Sequence, residues 1–202
     1  MKIVCIGRNY AEHVQELGNA MPAEPVFFLK PLTAILPLGE SFRIPSWAQR
    51  IDHEIELVFR VSRECRDLRP NTGDGHLDGV TIGLDLTARD VQDELKKNGL
   101  PWEKAKAFDH SAVLGTGFQP IPDDPAKLEF QLFRNGTMVQ QGNAKHMIFD
   151  PVALLCHVSR YITLMPGDLL FTGTPAGVGP LSSGDHVVGR LNGMKLLEIE
   201  VE

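Results

Sequence analysis

Glycine and proline are spread along this chain in numbers that suggest many turns and therefore many short strands. Nineteen glycines and fourteen prolines are spread over 202 residues, and such residues set turns or stop regular elements. Between them lie short apolar runs: Ile3 to Ile6, Val26 to Leu29 closed by Lys30-Pro31, Val80 to Leu86, Leu169 to Thr172, Val187 to Leu191 and Lys195 to Val201. Runs of that length read as strands. Asn135-Gly136, between Leu128 to Phe133 and Thr137 to Val139, is a type I′ hairpin signal. Helical signals are fewer. One covers Asn9 to Leu17, with Val14 and Leu17 on one side and Gly18 as its stop. A second covers Thr87 to Asn98, stopped by Gly99. A third follows Asp150-Pro151, an N-cap and first-turn proline, and reaches Tyr161. Strands outnumber helices without alternating with them, so the expected class is α+β rather than a doubly wound sheet. No repeat or Ser/Gly linker divides residues 1–202, which read as a single domain.

Charge and cysteines narrow the function classes. A net charge of -6 removes the main driving force for general nucleic-acid binding, the counterion release made by clustered Lys and Arg. No stretch approaches the ~18 apolar residues of a membrane span. Cys5, Cys65 and Cys156 are scattered without a C-x-x-C pair, as expected of reduced thiols packed as small apolar residues. The expectation is a cytoplasmic protein with no nucleic-acid or membrane partner.

The acidic residues give the first chemistry. Glu54 and Glu56 stand at i and i+2 of a strand-like segment, so both carboxylates project to one face. Two adjacent anions repel unless a cation separates them, and hard oxygen ligands suit Mg²⁺, Mn²⁺ or Ca²⁺. The competing interpretation is a solvated outer face. Asp85 ends the apolar strand Val80 to Leu84, where it serves either as a third oxygen ligand or as the N-cap of the following helix. His13 and Glu16, three apart on a helix, are neighbours; a carboxylate can orient an imidazole as a general base. Surface pairing is the alternative. Gly7 and Gly18 flank this segment as possible hinges of a lid over about residues 8–18. Lys104 and Lys106 follow Trp102 near Phe108, and a lysine held among aromatics can stabilise a developing enolate. The loop Thr172 to Gly179 can offer backbone N–H groups and hydroxyls to an anion, but it lacks the order of a nucleotide P-loop. His53, His76, His146, His157 and His186 have no metal-ligand spacing and read as structural.

These segments stand in an order that resembles the fumarylacetoacetate hydrolase superfamily. Gly7-Arg8-Asn9-Tyr10 with His13 and Glu16, Phe28-Leu29-Lys30-Pro31, His53 to Leu57, Asp85 to Gln92, Gly99-Leu100-Pro101-Trp102 with Lys106, and Thr172 to Gly179 carry the likeness. It covers nearly the whole chain. The likeness implies an α+β fold of layered, rolled mixed β-sheets with few short helices, and a homodimer. It makes Glu54, Glu56 and Asp85 the ligands of Mg²⁺ or Mn²⁺, Lys106 the active-site lysine, and His13 and Glu16 a lid dyad. Gln92 then orients ligand or water, and Arg89 and Thr174 are substrate-side positions. The chain departs from the family at Ser111-Ala112-Val113-Leu114-Gly115, where a proline-bearing turn is common, so a different pocket wall is expected there. The activity implied is metal-dependent hydrolysis of an acylpyruvate, a small keto acid, with oxaloacetate decarboxylase or tautomerase activity at the same site. The alternatives are a 2-hydroxydienoate diacid isomerase or decarboxylase, and a member that binds ligand without turnover.

Overall fold

The computed structural model describes residues 1–16, 18, 20–70 and 72–202. The chain runs β1 (Ile3–Gly7), α1 (Ala11–Glu16), β2 (Val26–Lys30), β3 (Ile51–His53), β4 (Ile55–Val61), β5 (Leu77–Asp85), β6 (Thr87–Ala88), α2 (Arg89–Lys97) and α3 (Glu103–Lys106). It continues with β7 (Ala112–Leu114), β8 (Glu129–Arg134), β9 (Thr137–Asn143), α4 (Pro151–Ser159), β10 (Leu169–Phe171), β11 (Gly179–Pro180), β12 (His186–Leu191) and β13 (Met194–Glu200). The expected α+β class of layered, mixed sheets with few short helices is the one observed.

Three sheets organise the molecule. A six-stranded sheet has the order β2-β1-β10-β4-β5-β7, a four-stranded sheet β13-β12-β8-β9, and a three-stranded one β11-β3-β6. Only β1 and β10 in the six-stranded sheet pair in parallel; its other pairs are antiparallel. Alternation along β4 divides this sheet into two faces. Ile55, Leu57, Phe59 and Val61 join the main core with Val80, Ile82 and Leu84 of β5 and with Phe130, Leu132 and Val187 of the four-stranded sheet. Burying one such side chain stabilises the fold by about 1.5–3 kcal/mol. The sheets approach so closely at Gly189 that a Cβ there would lie 2.7 Å from Ile82 Cδ1. The opposite face carries Val58 in a smaller cluster with Ile3, Cys5, Ala34, Ala112, Leu169 and Phe171. That second face leads to the charged cleft.

The turns follow local chemistry. Asn135 and Gly136 adopt φ of 53° and 79°, as a type I′ hairpin between β8 and β9 requires. Asp150 caps α4 by accepting the Ala153 N–H at 2.8 Å. Two helices start later than their sequence signals. The first begins at Ala11, because Asn9 is committed to contacts remote in sequence: its side-chain amide donates to the carbonyls of Phe149 and Thr172 at 3.0 and 2.8 Å. Leu17 lies outside the described residues. The second begins at Arg89, because Thr87 and Ala88 pair with Asp52 and Ile51 of β3, and tertiary pairing overrides helix propensity. Cys5, Cys65 and Cys156 are free and buried. Among the described residues no helix is long and apolar enough to cross a membrane.

Candidate active site

The β4–β5 ribbon brings the acids together. Ile55 pairs with Leu84, and one step further the Asp85 N–H donates to the Glu54 carbonyl at 2.9 Å. Glu54 sits just before β4 rather than inside it, yet this bond carries the register through it. Glu54, Glu56 and Asp85 therefore share a face, and one oxygen from each lies within 4.8 Å of the others. All three are buried, which excludes the solvated-face interpretation of Glu54 and Glu56. Helix α2 starts four residues after Asp85 and has Ala88 at its N-cap position, so Asp85 is not its cap.

Cations answer most of this charge. Lys106, projected from the short helix α3, places Nζ 2.7 Å from Glu54 Oε2, 2.7 Å from Asp85 Oδ2 and 2.6 Å from Thr87 Oγ1. The Lys106 ammonium lies 5.3 Å from the centroid of the Phe28 ring, the aromatic setting expected of it; Lys104 is exposed. Lys30 Nζ stands 2.8 Å from Asp85 Oδ1 and also donates to Ser111 Oγ at 2.9 Å. Arg89 pairs with Glu54, donates to Asp52 Oδ2 at 2.8 Å, and donates to Gln92 Oε1 at 2.6 Å. Burial alone would raise the Glu54 carboxyl, but Lys106, Arg89 and His13 hold it below the usual carboxylate range. Burial likewise opposes the Lys106 ammonium, and Asp85 and Glu54 outweigh it and raise its pKa. Glu56 differs. Burial, Asp85 and Glu54 all push its carboxyl upward, and the Gly173 N–H, donating to Oε2 at 2.7 Å, offsets only part of this.

The remaining predicted residues line the same cleft. His13, Arg89, Gln92 and Thr174 stand around the acids with Phe28, Trp102 and Lys106. His13 is 5% exposed, and its Nδ1 lies 3.1 Å from Glu16 Oε2. Glu16 Oε1 in turn accepts the Gly177 N–H at 3.1 Å. The glycine-rich loop does hold anions through its backbone N–H groups; the anions are this chain's own Glu56 and Glu16. On the N-terminal side of α1, Arg8 rather than Gly7 takes the left-handed conformation, with φ 62°, while Gly18 has φ 63°. Among the described residues none of the segment Ser111 to Gly115 lines the cleft; Ala112–Leu114 form β7 on the sheet edge.

Gln140 was not singled out by sequence and His53 was read as structural; together they fasten the site. Buried Gln140 of β9 accepts the Ile55 N–H at 3.1 Å and faces His53 Nδ1 at 3.0 Å. Its amide donates to Thr174 Oγ1 at 2.9 Å and to the Pro175 carbonyl at 3.0 Å. Thr174 spends its own proton on the Ile55 carbonyl at 2.8 Å. One carboxamide thus ties the segment bearing Glu54 and Glu56 to the glycine-rich loop. Burial keeps the His53 imidazole below its ordinary pKa, so it is neutral and donates Nδ1–H to Gln140.

The family model described as fumarylacetoacetate (FAA) hydrolase C-terminal matches residues 2–202. The chain belongs to the fumarylacetoacetate hydrolase family. As a member of it, the protein is an enzyme. Its relatives include oxaloacetate tautomerase FAHD1, mitochondrial, of Homo sapiens, 42% identical over 99% of this chain and 91% of the relative. Oxaloacetate tautomerase YcgM of Escherichia coli (strain K12) is 43% identical over 96% and 90%. Among solved structures, fumarylpyruvate hydrolase from Pseudomonas aeruginosa in complex with Mn²⁺ and pyruvate superposes with a TM-score of 0.93. It is 34% identical, covering 100% of this chain and 89% of its own. The acidic triad of this family member fits a divalent cation on its own terms. It offers only hard oxygen donors, and among the described residues Glu56 has no cationic side-chain partner within ion-pair distance.

Proposed function

We propose that this enzyme cleaves acylpyruvates to pyruvate and a carboxylate, and that the same site decarboxylates or tautomerises oxaloacetate. The observation that carries this reading is the triad of buried carboxylates with the Lys106 ammonium 2.7 Å from two of them. Glu54, Glu56 and Asp85 would hold Mg²⁺ or Mn²⁺. When bound, such an ion supplies a Lewis acid for an α-keto acid chelating through its carboxylate and carbonyl oxygens. Lys106 places positive charge beside the enolate oxygen that develops when the next C–C bond breaks. Arg89 occupies the Oε1 of Gln92, which leaves the Gln92 amide N–H groups to orient ligand or water. Thr174, its proton committed to Ile55, shapes the wall and accepts rather than donates.

His13 and Glu16 supply the base. Glu16 faces Nδ1, so Nδ1 carries the ring proton and Nε2 carries the lone pair. In acylpyruvate hydrolysis Nε2 takes a proton from the attacking water; in oxaloacetate tautomerisation it moves one at the carbon between the carbonyls. Decarboxylation needs no such base. Segment 8–18 then acts as a lid that closes over bound substrate. The same reading has a small keto acid as the only partner besides a second copy of the chain, without nucleic acid or membrane, in the cytoplasm. Three buried free thiols support a reducing compartment, and exposed Leu29, Leu32 and Leu38 offer apolar surface for a homodimer.

A substrate panel tests the activity. After chelator treatment, acetylpyruvate, oxaloacetate and a dienoate diacid are followed by loss of enol absorbance with and without added Mg²⁺ or Mn²⁺. Metal-dependent turnover of the first two is expected. Turnover that survives chelation unchanged, or no turnover of either, refutes it.

A further inference from the structure

Strand β9 departs from regular pairing just where it nears the glycine-rich loop. Leu132 of β8 faces Gln140, yet the next residue, Phe133, faces Met138, so Val139 is an extra residue, a β-bulge. Regular alternation would put Met138 and Gln140 on one face. A bulge breaks that alternation and re-aims the side chain beside it, a device found often next to active sites. Met138 is accordingly 48% exposed, whereas Gln140 is 2% exposed.

Every polar site on the re-aimed carboxamide is used. Oε1 serves Ile55 and His53, and the amide serves Thr174 and Pro175. This orientation is forced, because a backbone N–H only donates and a carbonyl only accepts. The near end of the loop does not depend on Gln140 alone. Thr172 and Thr174 donate to the Leu57 and Ile55 carbonyls of β4, and the Gly173 N–H donates to Glu56. The far end differs. Among the described residues, the bond from Gln140 to Pro175 is the loop's only hydrogen bond to a strand between Thr174 and Gly179. Two residues beyond Pro175, the Gly177 N–H donates to Glu16 Oε1, and Glu16 Oε2 faces His13. Gly177, at φ 95°, lies so close to β9 that a Cβ there would stand 2.4 Å from the Val139 carbonyl oxygen and 3.3 Å from Gln140 Cγ. The bulge itself is therefore the seat of Gly177.

We propose that Gln140, aimed by the Val139 bulge, is a positioning residue for the lid: it fixes where Gly177 receives Glu16, and so where Glu16 holds the His13 ring. This rests on the reading of His13 as the base. Gln140 is not among the residues around the cleft, so it acts through the loop and touches no reacting atom. A base displaced by about 1 Å loses on the order of 10²-fold in rate. The carboxylate floor, by contrast, keeps the β4–β5 register that brings its acids together. Loss of Gln140 thus lowers kcat for base-dependent hydrolysis, and it changes KM, metal affinity and decarboxylation much less.

The test compares Gln140→Met, which keeps the unbranched stem and removes the amide, with Leu132→Ala, a core substitution at the residue opposite Gln140. Both are assayed with Mg²⁺ well below their Tm. For Gln140→Met the expected result is a fall of about 10–100-fold in kcat for acetylpyruvate hydrolysis. Its KM, its calorimetric affinity for oxalate and its oxaloacetate decarboxylation stay within about threefold of the parent. Leu132→Ala lowers Tm without that split. Gly177→Ala reaches the same route without touching Gln140, since its methyl group pushes the loop off Val139, and it gives the same split. The double variant falls no further than the deeper single one, because both substitutions break one route. Falls that multiply in the double variant, equal losses of hydrolysis and decarboxylation, or no change in kcat overturn the proposal. Protease cutting within residues 8–18 decides it without turnover. With Mg²⁺ and oxalate bound, Gln140→Met is cut several-fold faster than the parent and Leu132→Ala is not. That outcome supports the positioning role even if the parent hydrolyses no acylpyruvate. Equal cutting of all three overturns it even if hydrolysis is seen.

Discussion

The β4–β5 ribbon carries charge at both ends of the same face, and the two ends are built differently. At one end Glu54, Glu56 and Asp85 are buried and meet Lys30, Lys106 and Arg89. At the other, Arg60 Nε and Asp78 Oδ1 form one pair at 2.7 Å with 40% and 46% of their side chains exposed. Water solvates the outer pair, so nothing else is needed to satisfy it. Each ion of the inner group is stripped of water at a cost of several kcal/mol, recovered only through several partners at once. Asp52 has Arg50 and Arg89, Glu54 has Arg89 and Lys106, and Asp85 has Lys30 and Lys106. Glu56 alone among the four has a backbone N–H, that of Gly173, in place of a cation. Buried charge at that density is tolerated where a further positive charge is to be bound.

The largest effect expected from breaking the inner end is on activity. Asp85→Asn removes one charge of the triad and leaves Lys30 and Lys106 each short of a partner. Activity falls by about 10²–10³-fold or more, the scale set by losing one preorganised electrostatic contact in a dry site. Calorimetric titration with Mg²⁺ weakens in parallel. Unchanged metal affinity would show that the three carboxylates do not act as one site.

The next effect distinguishes two glutamates two residues apart. In metal-free protein, Glu54→Gln takes a carboxylate from Lys106 and Arg89 and destabilises the fold by about 3 kcal/mol, a Tm fall of roughly 10 °C for a domain of this size. Glu56→Gln relieves burial and repulsion from Asp85 and Glu54, so it leaves Tm unchanged or raises it. The pH dependence has opposite signs as well. The lowered Glu54 carboxyl contributes stability that is present above its unfolded pKa and lost as pH falls toward the folded one. The raised Glu56 carboxyl binds its proton more tightly in the folded state. The stability it contributes is complete below the unfolded pKa and is lost as pH rises toward the folded one. Metal uptake displaces that proton, so affinity for Mg²⁺ increases with pH. Thermal melts of both variants in chelator across pH 4–8 check the signs; a Tm fall of equal size in both would remove the distinction.

What was legible in the sequence follows the range of each contact. The Asn135-Gly136 hairpin and the Asp150 cap depend on neighbours in the chain, and the turn residues state them directly. Glu54 and Glu56 were legible because strand alternation is itself local. Lys30 marked only the end of a strand, since its partner Asp85 is set by the sheet order. The start of α2 was placed two residues early because β3, remote in sequence, captures Thr87 and Ala88. Gln140 carried no signal at all: a glutamine on an amphipathic strand is ordinary, and only the stacking of two sheets brings it to His53, Ile55 and Thr174.

The smallest effect belongs to the exposed end. Arg60 also lies over the Phe118 ring, 4.8 Å from its centroid, so Arg60→Ala removes a cation–π contact and stem packing together with the ion pair. Asp78→Ala removes only the ion pair and leaves Arg60 on the ring. The cost of Asp78→Ala is expected at about 0.2–1 kcal/mol, a Tm shift of a few degrees at most, and it shrinks in high salt. Arg60→Ala costs more, and the excess over Asp78→Ala persists in salt because ring contact is not screened as the pair is. Neither substitution reaches the loss expected for Glu54→Gln. If Asp78→Ala did match that loss, solvent exposure would not separate the two ends of the ribbon, and the many partners at the acidic end would need a cause other than desolvation.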